Sequence, residues 1–124
     1  MPQSRFFGVV PAAGRSVRMG RPKLLLPWAR STVIEQTLSA WRASRVTRTV
    51  VTVHPDDAAM AEVCRRSAAG VVVTFPPPHD MRASVLQALD HLAAVDLPSD
   101  DDFWLLAPAD MPLLTSSVID RVIE

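Results

Sequence analysis

The sequence contains too few cysteines and too short an apolar run for several common architectures. Its 124 residues include one cysteine, Cys64, which excludes a disulfide framework or a cysteine-based zinc site, and we expect this thiol to be buried on a helix face. No stretch is apolar over the length that a membrane-spanning helix needs, and the amino-terminal apolar run is too short for a signal peptide. These absences predict a cytoplasmic protein without a membrane partner.

The chain also lacks an excess of charge of either sign. Lys and Arg together number 13, as do Asp and Glu, so the formal net charge is zero. Proteins dedicated to nucleic acids usually carry a basic excess, so this balance argues against a nucleic-acid partner. Positive charge is nevertheless concentrated in one short segment that contains no acidic residue, formed by Arg15, Arg18, Arg21 and Lys23.

Apolar residues, 48% of the chain, are grouped into short strands that alternate with helical patterns. Near-continuous apolar runs, typical of a parallel sheet covered on both faces, predict strands over residues 5–10, 48–53, 71–75 and 103–107. Capping residues before apolar repeats of helical spacing predict that helices begin at Thr32 (with Glu35 completing a capping box), Asp56, Asp80 and Thr115. The alternation predicts one α/β domain, residues 1–124, with a Rossmann-like, mostly parallel sheet and helices on both faces.

The last residues, 116–124, form an amphipathic helical pattern that stops without a Gly, Asn or Pro capping signal. We therefore expect a truncated chain whose sheet is incomplete at the carboxyl terminus. Such a chain would leave a sheet edge uncovered, and an uncovered edge favours self-association.

Ligands of such sheets bind beyond the carboxyl ends of the strands, where the loop after the first strand lies. Residues 11–14 are mostly small, which lets a ligand approach the backbone, and Gly14 tolerates a positive φ. Successive N–H groups there can form an anion-binding concavity, to which Ser16 adds a hydroxyl donor. Arg18 and Lys23 supply the positive charge that a triphosphate needs. The residues alone leave a surface loop with solvated arginines as the alternative.

Two common phosphate-binding loops do not fit this segment. In a P-loop, Gly-Lys is followed by Ser or Thr, whereas the sequence has Pro22-Lys23 followed by leucine. A dinucleotide-binding loop needs G-x-G-x-x-G at the start of a helix, and Ser16 and Met19 occupy the second and third glycine positions. Because Pro22 would obstruct a helix that began at Gly14, we expect the loop to stay irregular as far as Pro22.

The segment AAGRSVRMGRPKLLLP resembles the signature of the MobA-like nucleotidyltransferases, roughly (L)AAGxSxRMGxPKxLLP. Within that family it is most similar to the molybdenum-cofactor cytidylyltransferases. The resemblance implies a fold of the nucleotide-diphospho-sugar transferase type. It also implies that Arg18 contacts the phosphates and that Lys23 neutralises charge at the α-phosphate during transfer. The residues that it implies bind the nucleotide and its phosphates are Ala12, Ala13, Gly14, Arg15 and Ser16.

Two positions of this segment bear on the substrate. Pro11 departs from the signature, which more often has leucine there, and proline also resembles the methylerythritol-phosphate cytidylyltransferases. In those enzymes the spacing before Pro-Lys is usually longer and Gln follows Pro-Lys. Ala13 resembles the AAG of cytidylyltransferases where guanylyltransferases of the wider family have AGG. Because the extra methyl narrows the base pocket, we expect a pyrimidine nucleotide, CTP.

Asp110 is a second candidate, placed after the fourth strand in FWLLAPADMPLLT. An aspartate before Met-Pro is often only a turn residue, but a carboxylate there can also bind Mg²⁺ that bridges phosphate oxygens. The resemblance favours the second interpretation, because family members carry Asp-x-Pro here as a magnesium ligand. At the amino end of the same strand we expect a solvated acidic turn, formed by Asp100, Asp101 and Asp102.

The segment HDMRASVLQAL resembles the family's GMSSSLRAGL, which contributes to the base and ribose pocket. On this resemblance Ser84 is a nucleotide-binding residue, whereas Asp80 replaces a glycine and is expected to cap the helix. The implied function is a Mg²⁺-dependent nucleotidyltransferase that moves CMP from CTP to a phosphate-bearing acceptor such as molybdopterin and releases pyrophosphate. The alternatives are transfer to methylerythritol phosphate or another sugar phosphate, and a non-catalytic nucleotide-binding fragment.

Overall fold

Four apolar strands form one parallel sheet. The computed structural model describes residues 4–13, 23–28, 30–67, 69–76, 78, 80–99, 101–111 and 113–123. The sheet contains β1 (Phe6–Ala12), β4 (Arg48–Val53), β5 (Gly70–Val73) and β6 (Phe103–Leu106), in the spatial order β5-β4-β1-β6. Each neighbouring pair in this sheet is parallel, as the sequence predicts. A short antiparallel pair, β2 (Pro27–Trp28) with β3 (Ser31–Thr32), is an addition that the apolar pattern does not predict.

Helices cover both faces of the sheet, which confirms the predicted fold class. They are α1 (Val33–Arg42), α2 (Ala58–Arg66), α3 (Met81–Val95) and α4 (Ser116–Ile123). One core cluster lies under α3, and it contains Phe7, Val9, Val50, Ala88 and Leu92. A larger cluster on the opposite face joins β1 and β4 to α1, α2 and α4, and its members include Val10, Ile34, Leu38, Val51 and Ile119. In the described part of the chain, no helix combines the length and apolar character that crossing a bilayer requires.

Cys64 belongs to the larger core cluster, where it is completely buried. Burial raises the pKa of its thiol to about 12, with a smaller contribution from the charge of Asp57. The thiol is therefore protonated at neutral pH and unsuited to act as a nucleophile, which agrees with the predicted structural role.

Side-chain caps begin the helices at or next to the predicted positions. The hydroxyl of Thr32 accepts the N–H of Glu35 at 3.3 Å and donates to the Glu35 carboxylate at 2.9 Å. Asp80 likewise begins α3 by accepting the N–H of Ala83 at 2.9 Å. Both caps join residues three positions apart, so they can be predicted from the sequence alone.

The predicted cap of α2, Asp56, is wrong by one residue. Asp57 caps this helix instead, because its carboxylate accepts the N–H of Met60 at 3.2 Å. The N–H of Asp57 donates to the carbonyl of His54 at 3.0 Å, so a tight turn precedes the helix. With two consecutive aspartates, the geometry of this turn decides which of them caps.

The first strand extends to Ala12, beyond its predicted end at Val10. Pro11 lies inside the strand, opposite Thr52 of β4. The carbonyl of Val9 accepts the N–H of Ala107 at 3.3 Å, so odd-numbered residues of β1 turn their peptide groups toward β6. Pairing with β6 ends at Leu106, opposite Val9. A residue without an N–H is therefore tolerated at position 11, where that side of the ladder has already ended.

Gly8 lies where β1 passes beneath Trp41 of α1. A Cβ at this position would lie 2.8 Å from Cε3 and Cζ3 of Trp41, which is far inside ordinary carbon–carbon contact. Trp41 itself is only 3% exposed and cannot move outward without opening the core. The absence of a side chain at Gly8 is thus what lets α1 pack closely on the sheet.

We expect Gly8→Ala to lower the free energy of unfolding by about 1–3 kcal/mol, because the added methyl displaces Trp41. Gly70→Ala is the matched control, since its Cβ would meet the nearest atoms of Thr49 and Val50 at an ordinary 3.5 Å. Chemical denaturation followed by tryptophan fluorescence measures both variants. Equal stabilities for the two would contradict this account of the contact.

The expected solvated acidic turn before β6 is wrong for Asp102. Its carboxylate is 3% exposed and binds the guanidinium of Arg5 at 2.9 Å. Backbone N–H groups of Ser99 and Arg5, followed by the Arg5 side chain, lower the pKa of Asp102 to about 2. Asp101 is exposed, as expected, and Asp100 lies outside the described residues. The ion pair ties the beginning of β1 to the beginning of β6, which an inspection of the acidic run cannot reveal.

Strand β6 forms one edge of the described sheet and exposes apolar side chains. Phe103, Trp104 and Leu106 are between 42% and 56% exposed. Beside them, a groove of about 290 Å³ between β6 and α4 is lined mainly by apolar residues. The expected self-association concerns an uncovered sheet edge without specifying which, and association through β6 stays a prediction.

Candidate functional site

Because the strands of this sheet are parallel, the carboxyl ends of β1, β5 and β6 all lie along the same edge of it. The loop after β1, the loop after β6 and the amino terminus of α3 all begin there. These are the three segments in which the sequence places its candidate site residues. The fold therefore brings residues that are distant in the chain, such as Ala12 and Asp110, to the same edge of the sheet.

The end of β1 is buried and anchored. Ala12 and Ala13 are 5% and 3% exposed, and Ala12 belongs to the larger core cluster. The N–H of Ala12 donates to the hydroxyl of Thr52 at 3.3 Å. In this structure the Ala12 donor is thus already engaged, so main-chain donors for a phosphate would be supplied from Ala13 onward. The nucleotide-binding roles of both alanines stay predictions.

Most of the candidate phosphate loop lies in residues 14–22, outside the described residues. Its members there are Gly14, Arg15, Ser16 and Arg18. Lys23 begins a short 3₁₀ helix, Lys23–Leu25, and only its backbone is described. Leu24 and Leu25 pack against the larger core cluster, and the carbonyl of Leu26 accepts the N–H of Val33 at 3.0 Å. Both ends of the loop are therefore fixed to the core, one by Ala12 and the other by these leucines.

The loop that follows β6, the strand paired with β1, exposes Asp110. Ala109 is 3% exposed and packs in the core, whereas the next residue, Asp110, is exposed. Leu114 donates its N–H to the carbonyl of Met111 at 3.1 Å, and the hydroxyl of Thr115 accepts the N–H of Val118 at 3.2 Å at the start of α4. Asp110 is therefore exposed in the loop that follows β6 rather than buried in the core.

The amino terminus of α3 contributes a buried hydroxyl. Ser84 is 3% exposed and shares a hydrogen bond with the hydroxyl of Thr52. Its predicted contact with the nucleotide stays a prediction, and in this structure its hydroxyl is directed to β4. One turn later, the Gln87 side chain accepts the N–H of Phe75 at 2.8 Å and donates to the carbonyl of Pro76 at 2.9 Å. Gln87 thereby holds the segment after β5 against α3.

The contacts that Thr52 and Gln87 make beside the candidate segments are not predicted from the sequence. Threonine is common in β-strands, so its occurrence in RTVVTV indicates no particular role. Glutamine is likewise common in helices such as α3. The only signal is the polarity of Thr52 at a position that the apolar pattern assigns to the core. Its partners in space follow from the strand order, which the sequence pattern does not specify.

The described residues suit a magnesium ion that a phosphate ligand helps to bind. Within them, no group of three or more His, Cys, Asp or Glu side chains could hold a metal alone. Mg²⁺ is commonly bound by one or two carboxylates together with substrate phosphates, and an exposed carboxylate such as Asp110 fits that donor set. The ion itself stays a prediction.

Comparison with known proteins identifies similar sequences and folds. Residues 8–124 match the family of MobA-like NTP transferase domains. The 2-C-methyl-D-erythritol 4-phosphate cytidylyltransferase of Cereibacter sphaeroides is 35% identical over 118 residues, which cover 93% of this chain and 51% of that protein. The molybdenum cofactor guanylyltransferase of Xanthomonas euvesicatoria pv. vesicatoria is 31% identical over 122 residues, which cover 98% of this chain and 55% of the relative.

Solved structures share the same architecture. A nucleotidyl transferase from Methanothermobacter superposes with a TM-score of 0.79 at 27% identity, covering 95% of this chain and 56% of that one. The chain thus spans about half the length of the curated relatives that it matches.

Proposed function

Since this chain belongs to the family of MobA-like NTP transferase domains, we propose that it binds a nucleoside triphosphate at the carboxyl edge of its sheet. We propose further that the protein transfers the nucleoside monophosphate to a phosphate-bearing acceptor. CTP is the triphosphate that we favour.

One observation carries this proposal, namely the position of the two candidate segments on adjacent strands. β1 leads into the candidate phosphate loop and β6 leads into Asp110, and these strands pair directly in parallel. A polyphosphate lying across this edge would be close to the start of the loop that carries the basic segment and to the start of the loop that carries Asp110. This combination of cations and a carboxylate suits a triphosphate with a divalent ion.

In the proposed reaction, an acceptor phosphate oxygen attacks the α-phosphorus in line with the leaving group. The new phosphorus–oxygen bond forms as the bond between the α-phosphorus and the bridging oxygen to the β-phosphate breaks, and that electron pair leaves with pyrophosphate. The chain's own residues mainly position the reactants and stabilise charge. Lys23 and Arg18 would neutralise negative charge on the phosphates, and main-chain donors from Ala13 onward would orient them.

Asp110 would hold Mg²⁺ against the phosphate oxygens. When bound, the ion polarises the phosphoryl group and offsets the charge that develops on the leaving group. The exposed carboxylate at the strand end supports this role.

The relatives bear on which base and which acceptor the protein uses. Ala13 supports a cytosine base through the AAG resemblance, and the relative from Cereibacter is named a cytidylyltransferase. The relative from Xanthomonas is named a molybdenum cofactor guanylyltransferase, so the two relatives differ in both base and acceptor. We propose molybdopterin as the first acceptor to test and 2-C-methyl-D-erythritol 4-phosphate as the second. A fragment that binds nucleotide without catalysis is the remaining alternative.

A thermal-shift screen with CTP, GTP, ATP and UTP, each with Mg²⁺, tests the proposal on the 124-residue chain. A ligand present at about 100 times its Kd stabilises the folded state by about 2.7 kcal/mol, which raises Tm by several degrees. We expect CTP to give the largest shift. Pyrophosphate release from CTP with each acceptor then separates catalysis from binding. If none of the four triphosphates raises Tm, the proposed function is wrong.

A further inference from the structure

Thr52 is a polar residue in the most buried part of the sheet. It is 0% exposed, and its neighbours along β4, Val50, Val51 and Val53, are also completely buried. A hydroxyl in such surroundings is costly unless it is hydrogen-bonded. Its bonds should therefore explain why an apolar strand carries it.

The Thr52 hydroxyl connects two segments that are distant in sequence. It accepts the N–H of Ala12, which is 40 positions away, at 3.3 Å. It also shares a hydrogen bond with the hydroxyl of Ser84, which is 32 positions away. One side chain thus joins the last residue of β1 to the first turn of α3.

We propose that Thr52 is a positioning residue that holds the end of β1, where the candidate phosphate loop begins, in place relative to the amino terminus of α3. By accepting the Ala12 N–H, it fixes the direction in which the backbone leaves β1 toward Ala13. By bonding Ser84, it fixes the first turn of the helix against the same point. This inference rests on the proposed function, because both segments are the ones assigned to the nucleotide.

The other described buried threonines do not make such a connection. Thr37 donates to the carbonyl of Val33 at 3.0 Å, within α1. Thr74 donates to the carbonyl of Val53 at 3.1 Å, from the residue that follows β5. Because Thr37 is equally buried but bonded only within its own helix, it provides a matched control for the loss of a buried hydroxyl.

Titration calorimetry of the 124-residue chain with CTP and Mg²⁺ tests the proposal. Thr52→Val keeps the shape of the side chain and removes the hydroxyl, so we expect CTP affinity to fall about tenfold, the size of one lost hydrogen bond. Thr52→Ser retains the hydroxyl, so its CTP affinity should stay within about twofold of the wild type. Thr37→Val loses a comparable buried hydrogen bond, but one that lies within α1 and outside the connection, so its CTP affinity should also stay within about twofold. A loss in Thr52→Ser as large as in Thr52→Val would overturn the proposal, as would unchanged affinity in Thr52→Val.

Amide hydrogen exchange at Ala12, measured without nucleotide, separates this inference from the proposed function. We expect faster exchange of the Ala12 amide in Thr52→Val, which removes the acceptor of that amide. We expect a smaller increase in Ser84→Ala, which leaves the Thr52 hydroxyl without the bond that fixes its orientation, and no change in Thr37→Val. Ser84→Ala also serves if Thr52→Val does not fold. Unchanged exchange overturns the anchoring role. If the wild-type chain binds no triphosphate, the proposed function fails, and the positioning proposal fails with it even where exchange responds.

Discussion

Replacement of Lys23 by alanine is expected to cause one of the two largest losses of function among single substitutions in this chain. Loss of a charge-assisted contact to the α-phosphate should cost about 2–4 kcal/mol of transition-state stabilisation, or roughly 30- to 1,000-fold in kcat/KM for pyrophosphate release. The reason is that Lys23 would neutralise charge that increases during transfer. Triphosphate affinity should fall as well, which calorimetry measures independently of turnover.

Lys23 is also the only lysine in the sequence, which permits a chemical test. An amine-selective reagent can modify only its side chain and the amino terminus. We expect CTP with Mg²⁺ to protect Lys23 from modification while the amino terminus stays reactive. Arg65→Ala removes an exposed cation from α2 and is the control for a general loss of positive charge. If Lys23→Ala retains both turnover and triphosphate affinity, this loop is not the phosphate site.

Asp110→Asn is expected to abolish the contribution of magnesium to nucleotide binding. The substitution keeps the shape of the side chain and removes the negative charge that would hold the ion, so turnover should fall by about 100-fold or more. With Mg²⁺ replaced by a chelator, the variant should bind CTP at least as well as the wild type, because one negative charge near the phosphates is gone. Calorimetry with and without Mg²⁺ distinguishes these two effects.

Asp101→Asn is the matched control for this prediction. Asp101 is also exposed and also adjoins β6, but it lies before the strand, at the opposite edge of the sheet from Asp110. Its replacement should leave CTP affinity and its dependence on Mg²⁺ unchanged. An equal response of both variants would mean that overall charge, and not a metal ligand at Asp110, controls binding.

The sequence predicts features of this fold that depend on neighbouring residues. The four main strands lie within two residues of the predicted ends, because apolar runs bounded by turn residues define them. Thr32 and Asp80 cap their helices as predicted, since the bonded residues are three positions apart. The family was also predictable from one continuous segment, residues 12–27, because the residues that match the family signature are consecutive in the chain.

Predictions failed or were missing where the partner is distant in the chain. Asp102 was expected to be solvated, but it pairs with Arg5, which is 97 positions away. The Thr52 connection to Ala12 and Ser84 was not predicted. Both depend on which strands are neighbours, and an apolar pattern specifies that a strand is buried without specifying what lies beside it.

The amino-acid sequence by itself determined the alternation of strands and helices, the helix caps at Thr32 and Asp80, and the loop that carries the family signature. Only the tertiary structure decided that β1 lies between β4 and β6, which brings Ala12 against Thr52 and places the Asp110 loop beside the end of β1. The physical reason is that local hydrogen bonds and periodic burial are set by residues a few positions apart. Contacts between distant segments form only when the strands are paired in a particular order.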